Sequence, residues 1–435
     1  MTYLTILSSE SNTERTENEP ERRCFQSCLR DLQGIWSESV KAMENLKEIP
    51  VSIHAWQGDD VVGFEKFESA LTGGSQVTGN YPGRARNADE LRQDLDTALR
   101  LIPGTKRVCL QGHQVDRMLP GADRDAFTIE NFSAWLDWAK QNRLGLDIAP
   151  AFYSHPKLDH GYSLSHSNPE IRQFWINHGK MIRRIAAEFG KTLGTPSICN
   201  FWAPDGSKDI PADRFTPRRR LSESLDAIFE EKIDERYEID VVESKLFGIG
   251  VESYTVGSND FYMMYAARRG KMICLDSGHF HPTESIADKL SAVISQQGSI
   301  LLHVSRGVRW DSDHVIVLND ELLSIAREAV AYGYLDKIRF CLHYFDVSIN
   351  RIAAWVIGAR NLQKALLIAL LEPTDLLRKE ENSFDFSGRL ARLEQIKTLP
   401  WNSVWNYYCE SQNLPDDYEF MKQIRRYETD VLLKR

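Results

Sequence analysis

Residues 271–305 read KMICLDSGHFHPTESIADKLSAVISQQGSILLHVS. Two short runs, Lys271–Ser277 and Ser299–Ser305, flank a polar stretch long enough for one helix. Each run is almost continuously apolar and bounded by polar or glycine-containing sequence, as strands buried on both faces are. Each also carries a polar side chain near its C-terminal end, Asp276 in the first and His303 in the second. A strand, a crossover and a second strand of this kind is the repeating unit of a parallel sheet.

Working outward, six more such runs come into view: Val51–Trp56, Arg107–Gly112, Leu144–Pro150, Ser197–Ala203, Val241–Lys245 and Ile338–Tyr344. Apolar residues at helical spacing predict helices over Asn131–Asn142, Ile171–Leu193 and Asp320–Tyr332. Eight strands alternating with helices predict an α/β protein, a closed (β/α)8 TIM barrel. An open doubly wound sheet is the alternative, but it normally has a glycine-rich phosphate turn after its first strand. Here the first strand runs into QGDDVVGFE, and the only G-x-G, Gly248–Gly250, reads as a plain loop. After the eighth strand, Ala353–Leu371 is a strongly apolar helix that ends at Glu372-Pro373. The expected organisation is a polar N-terminal tail and lead-in helix over 1–34, a catalytic barrel over 35–360 and a helical C-terminal extension over 361–435. The extension, with Trp401, Trp405, Tyr407 and Tyr408 close together, is expected to pack on its own barrel or on a neighbouring subunit.

Composition narrows the function classes. The 435 residues carry 53 Lys+Arg against 62 Asp+Glu, a formal charge of −9. A nucleic-acid binder needs a basic footprint, and an anionic lipid surface asks for the same. Neither partner is expected. No uninterrupted apolar run approaches the ~18–20 residues of a membrane span. Seven cysteines (24, 28, 109, 199, 274, 341 and 409) match no zinc spacing, and several sit in apolar runs. That usage suits a reducing compartment, and the expected location is the cytoplasm.

Barrel chemistry occurs at the C-terminal ends of strands, and polar residues collect there. Strand four carries Asn200 and Trp202, followed by Asp205; strand five ends Glu243-Ser244-Lys245. Strand six leads through Asp276 to His279 and His281; strand seven carries His303, and its loop holds Asp311 and Asp313. Strand eight carries His343. With a two-residue side-chain period, Glu243 and Lys245 share a face, as do Asp311 and Asp313 if their loop is extended. Burying Glu243, Asp276, Asp311 and Asp313 together would be costly, and Lys245 offsets one charge of the four. One or two divalent cations would resolve it, with manganese, cobalt, zinc or magnesium suited to mixed carboxylate and imidazole ligands. His54, His281 and His314 read as hydrogen-bonding or supporting groups.

The same residues lie in long runs that resemble the L-rhamnose isomerase family, over roughly residue 35 to the end. The runs are WQGDD (56–60), LTGG (71–74), TGNYPG (78–83), RLIPG (100–104), VESKLFGIG (242–250), ESYTVGSN (252–259), LDSGHFHPTE (275–284), LLHVSR (301–306), VRWDSDHV (308–315) and SINRIAAWVIGARN (348–361). The resemblance implies a barrel related to xylose isomerase, usually a homotetramer. It also implies two divalent cations, commonly manganese, which polarise O1 and O2 for a 1,2-hydrogen shift from L-rhamnose to L-rhamnulose. One metal site would use Glu243, Asp276 and His303, and the other His279, Asp311 and Asp313. By the same resemblance Lys245, Asp313 and His279 are the catalytic candidates, Trp202 stacks on the sugar and Trp56 is a further wall of the pocket.

Two positions depart from the family. It has Asp where this chain has His343, which can still ligate through nitrogen but removes one negative charge. A nitrogen-richer site leans toward zinc, cobalt or nickel. The family also has a pocket histidine after strand two, where this chain has Gln111; His113 could take its place only with a local shift. Gln111 hydrogen-bonds but does not titrate near neutral pH. With the divergent loop from Gln114 to Phe127, these changes leave two further readings. One is an isomerase of a related aldose, and the other a catalytically silent sugar- or metal-binding barrel.

Overall fold

The computed structural model describes residues 38–57, 81–119, 122–246, 251–308 and 313–435. It divides into two units, Met1–Asn45 and Leu46–Arg435, and the elements below belong to the second. The N-terminal tail, Cys24, Cys28, Asp311 and the Gly248–Gly250 loop lie outside the described residues.

All eight expected strands form: β1 (Val51–His54), β2 (Lys106–Gln111), β3 (Gly145–Ala149), β4 (Ser197–Trp202), β5 (Glu238–Glu243), β6 (Met272–Asp276), β7 (Ile300–Val304) and β8 (Ile338–Leu342). They pair in chain order, each parallel to the next, and β8 closes on β1 through Val51↔Phe340, Ser52↔Cys341 and Ile53↔Leu342. The open-sheet alternative is thereby excluded. Helices Ala88–Leu99, Ser133–Asn142, Pro169–Leu193, Phe215–Ile228, Asn259–Arg269, Ala287–Gln297 and Asp320–Ala331 fill the crossovers. Several begin on side chains suited to N-capping: Asn87, Asn168, Ser258 and Asn319 each accept a backbone N–H of the first turn. Gly194 and Gly270 end two of them in the left-handed region, which costs a residue without Cβ little.

The barrel interior is layered by the two-residue period. Cys109, Ile198, Val241, Cys274, Leu301 and Cys341 form one apolar cluster. Two residues further along the same strands stand Gln111, Asn200, Glu243, Asp276, His303 and His343. Apolar filling below and polar groups above thus follow from one alternation repeated on six strands.

The helix Arg351–Leu371 runs through residue 360, the expected boundary of the extension, without a break. By length and composition it could cross a membrane, but 72% of its most apolar stretch is buried inside the protein. It is a core helix. Its Trp355 indole donates to the His54 carbonyl at 3.0 Å, and Gly358 lies where a Cβ would meet the Tyr344 hydroxyl at 1.9 Å. The C-terminal helices pack on this same barrel. Arg360 pairs with Asp417 at 3.1 Å, Arg435 with Asp94 at 2.8 Å, and Trp405 and Tyr408 are buried. The five described cysteines are free and buried.

Candidate metal centre

The polar layer closes the C-terminal mouth of the barrel. Glu243 ends β5 and is 1% exposed. One of its oxygens accepts from Asn200 Nδ2 at 2.5 Å, and the other faces His303 Nδ1 at 3.2 Å and His279 Nδ1 at 3.6 Å. Asp276 ends β6. Its Oδ1 accepts from the Gly278 amide at 2.6 Å and the Ser305 hydroxyl at 3.3 Å. Its Oδ2 is buried without a hydrogen-bond partner, 3.5 Å from His303 Nδ1 and 3.4 Å from His343 Nδ1. His343 Nδ1 likewise has no hydrogen-bond partner, and Asp313 Oδ1 lies 4.0 Å from it. The His303 and His343 rings stack, with centroids 4.3 Å apart and planes 8° from parallel.

Ligand atoms converge here. Donor atoms of Asp276, His303 and His343 lie within 4.8 Å of one another, as do those of Glu243, Asp276 and His279. A buried carboxylate oxygen and a buried imidazole nitrogen, both without a hydrogen-bond partner and facing each other, are what a cation site presents to its ion. The residues therefore fit a metal. The electrostatics agree. Burial alone would raise the Glu243 carboxyl, but His303, then His279 and His343, hold it far below the usual range. Burial would lower His303, yet Cys274, Glu243 and Asp276 keep it well above the usual histidine value. Burial, then His303 and His54, push His343 down to about 4. The carboxylates around His303 favour a positive charge at this point, which a cation would supply.

Trp202 and Gln111 line the cavity beside this cluster, together with Tyr153, Asn200, His54 and Phe345. Lys245 Nζ lies 5.3 Å from the centre of the Trp202 ring, and the lysine is buried. Trp56, an expected wall residue, packs edge-on against Phe345 and Trp355, at 6.0 and 5.7 Å. His113 is fully buried and edge-on to Tyr153, with ring centres 5.6 Å apart, and Gln111 lines the cavity. The loop after β7 is not extended at Asp313, whose φ of 46° is left-handed. Asp tolerates that region better than most residues. His281 is exposed and bonds Thr283.

Two residues matter more than the sequence suggested. Asn200 fixes Glu243 directly. His54 reaches the cavity, its ring 4.8 Å from that of His343, and neither of its nitrogens has a hydrogen-bond partner. Both occupy strand-end positions on the inward face, and that parity was the available signal.

The family model for L-rhamnose isomerase (RhaA) matches residues 22–435. The chain is 56% identical over 395 residues to the L-rhamnose isomerase of Salmonella typhi, covering 91% of this chain and 94% of that protein. It is equally similar to the L-rhamnose isomerase of Salmonella heidelberg (strain SL476), with the same coverage. Among solved structures, D-allulose 3-epimerase from Methylomonas sp. aligns over 74% of this chain and 96% of that one, at 13% identity and a TM-score of 0.42.

Proposed function

This chain belongs to the L-rhamnose isomerase family, and on that premise we infer that it interconverts L-rhamnose and L-rhamnulose at the barrel mouth, using two divalent cations. The observation that carries the reading is the cluster of Glu243, Asp276, His303 and His343, with Asp276 Oδ2 and His343 Nδ1 unsatisfied at its centre. Glu243, Asp276, His303 and His343 would hold one ion. His279, Asp313 and Asp311 would hold the other. When bound, such ions supply Lewis acidity to adjacent sugar oxygens.

The chain's own residues supply the rest. Asn200 keeps one Glu243 oxygen occupied, so the other points at the imidazoles. Lys245 places a positive charge where negative charge develops on a sugar oxygen. Trp202 offers an apolar plate for the C–H face of the ring, and Tyr153 packs edge-on behind it at 5.7 Å. Gln111 offers a hydrogen bond to a hydroxyl or aldehyde oxygen.

Manganese is the proposed ion, with His343 raising the relative affinity for cobalt and zinc. A homotetramer and a cytoplasmic location are proposed with it; the buried free thiols support the latter. The test is turnover by the purified chain with Mn2+ across a panel of aldoses. L-Rhamnose at the top supports the reading. Another aldose at the top, which Gln111 in the cavity would favour, moves the substrate within the same reaction class. No turnover of any aldose with manganese, cobalt, zinc or magnesium rejects isomerisation.

A further inference from the structure

One layer below the carboxylates, three groups remain that the isomerisation does not use. His54, Cys109 and Cys341 come from β1, β2 and β8, which are neighbours around the barrel. Register places Cys109 beside His54, and Cys341 beside Ser52. One ligand atom from each lies within 4.8 Å of the others, and all three residues are buried, at 4%, 5% and 2% exposure. Neither His54 nitrogen has a hydrogen-bond partner. Each of the two thiols donates a long hydrogen bond to a carbonyl, of Leu110 and of Leu342, at 3.8 and 3.9 Å. An imidazole buried with both nitrogens unsatisfied, facing two sulfurs, is costly unless something binds it.

We propose that His54, Cys109 and Cys341 form a second kind of cation site, built for a thiophilic divalent ion such as zinc, beneath the carboxylate–imidazole cluster. Two thiolates and one neutral imidazole are a soft donor set, unlike the oxygen-rich mouth. Two thiolates also balance a divalent charge, which a buried site requires. Binding breaks two S–H bonds, forms two metal–sulfur bonds and one metal–nitrogen bond, and releases two protons to solvent. On tetrahedral zinc, with Zn–S of about 2.3 Å, two sulfurs stand roughly 3.8 Å apart. The two sulfurs, within 4.8 Å of each other, therefore need to close by at most about 1 Å, within reach of side-chain adjustment. Cys109 and His54 both line the mouth cavity, which gives an ion its entry path. The competing role is plain core filling, since both cysteines belong to the apolar layer.

The test is titration of the full-length protein with Co2+ as a spectroscopic stand-in for zinc, following the sulfur-to-cobalt charge-transfer band. Oxygen and nitrogen ligands give no such band, and Cys274, whose sulfur lies within 4.8 Å of donor atoms of Glu243 and His303, is removed in Cys274→Ala, so the readout in that variant is separate from the mouth site and from isomerase activity. A band is expected in the unaltered chain, in C24S/C28S and in Cys274→Ala. It should vanish in C109A/C341A. His54→Phe keeps both thiols and should weaken cobalt binding at least tenfold, which decides the matter if the double variant does not fold. Absence of the band in the unaltered chain, its persistence in C109A/C341A, or an unchanged affinity in His54→Phe overturns the proposal. If isomerisation fails while the band behaves as stated, the function proposed above falls and this site stands.

Discussion

Replacing His343 by Asp puts a carboxylate where the imidazole stands, and the structure sets what it should cost. His343 is held neutral above pH about 4, so the substitution adds a full negative charge. Its Nδ1 lies 3.4 Å from Asp276 Oδ2, and its side chain is 19% exposed. A carboxylate oxygen placed there would repel Asp276 by about 5 kcal/mol at an effective dielectric of about 20. Unfolding entropy of ~2.1 cal/mol/K per residue turns that into a fall of roughly 5 °C in the Tm of the chelated protein. The assay is thermal unfolding in EDTA and again with Mn2+ or Zn2+, beside metal competition. With EDTA, His343→Asp should melt about 5 °C lower than the unaltered chain. Saturating Mn2+ should remove most of that gap, and the Mn2+/Zn2+ affinity ratio should rise at least tenfold. An unchanged Tm in EDTA together with an unchanged metal ratio would refute the placement of His343 beside Asp276.

Three further outcomes are expected. Lys245→Met should lower kcat about 10²–10³-fold, the range for removing one charge-stabilising donor, with KM little changed; a KM effect alone would make Lys245 a binding residue. Trp202→Ala should raise KM for the sugar about tenfold, equivalent to ~1.4 kcal/mol of lost contact, and an unchanged KM would remove it from the pocket wall. His178 is buried with both nitrogens engaged, by the Ala151 amide and the Arg124 carbonyl at 3.0 Å each. Burial, then Arg124, lowers it from 6.5 to about 3. Between those values the unfolded chain takes a proton that the folded chain refuses, so stability falls as pH drops, by about 1.4 kcal/mol per unit. His178→Gln should flatten that dependence between pH 6.5 and 5, and an equal slope in both proteins would contradict the assignment.

The barrel was legible because parallel strands must be apolar on both faces, which leaves short dense runs that no exposed segment mimics. The strand-end polar cluster was legible for the same reason. Glu243, Asp276 and His303 are polar residues inside apolar runs, two positions beyond an apolar barrel filler. His54 also lies in an apolar run, but Ser52 rather than an apolar filler stands two positions before it and a single imidazole carries no pattern of its own, so it read as a supporting group. Its neighbours Cys109 and Cys341 looked like core residues because a thiol is apolar enough to fill a core. Only the closure of β8 on β1 brings positions 54, 109 and 341 together, and no local spacing encodes a contact between the two ends of a barrel. Trp56 and His113 each follow a strand end, and each packs edge-on against an aromatic ring of the cavity lining, Phe345 and Tyr153. The left-handed Asp313 could not be read from a two-residue period, since that period holds only for extended chain.

The central claim is that the mouth cluster holds metal through His343 and presents the sugar to it. A crystal soaked with Mn2+ and L-rhamnose, measured at the manganese absorption edge, tests this most directly. The expected result is an anomalous peak bonded to Glu243, Asp276, His303 and His343, with sugar density between Trp202 and Lys245 and a hydroxyl on Gln111. Sugar and manganese elsewhere, or a peak that leaves His343 and Asp276 uncoordinated, would contradict it.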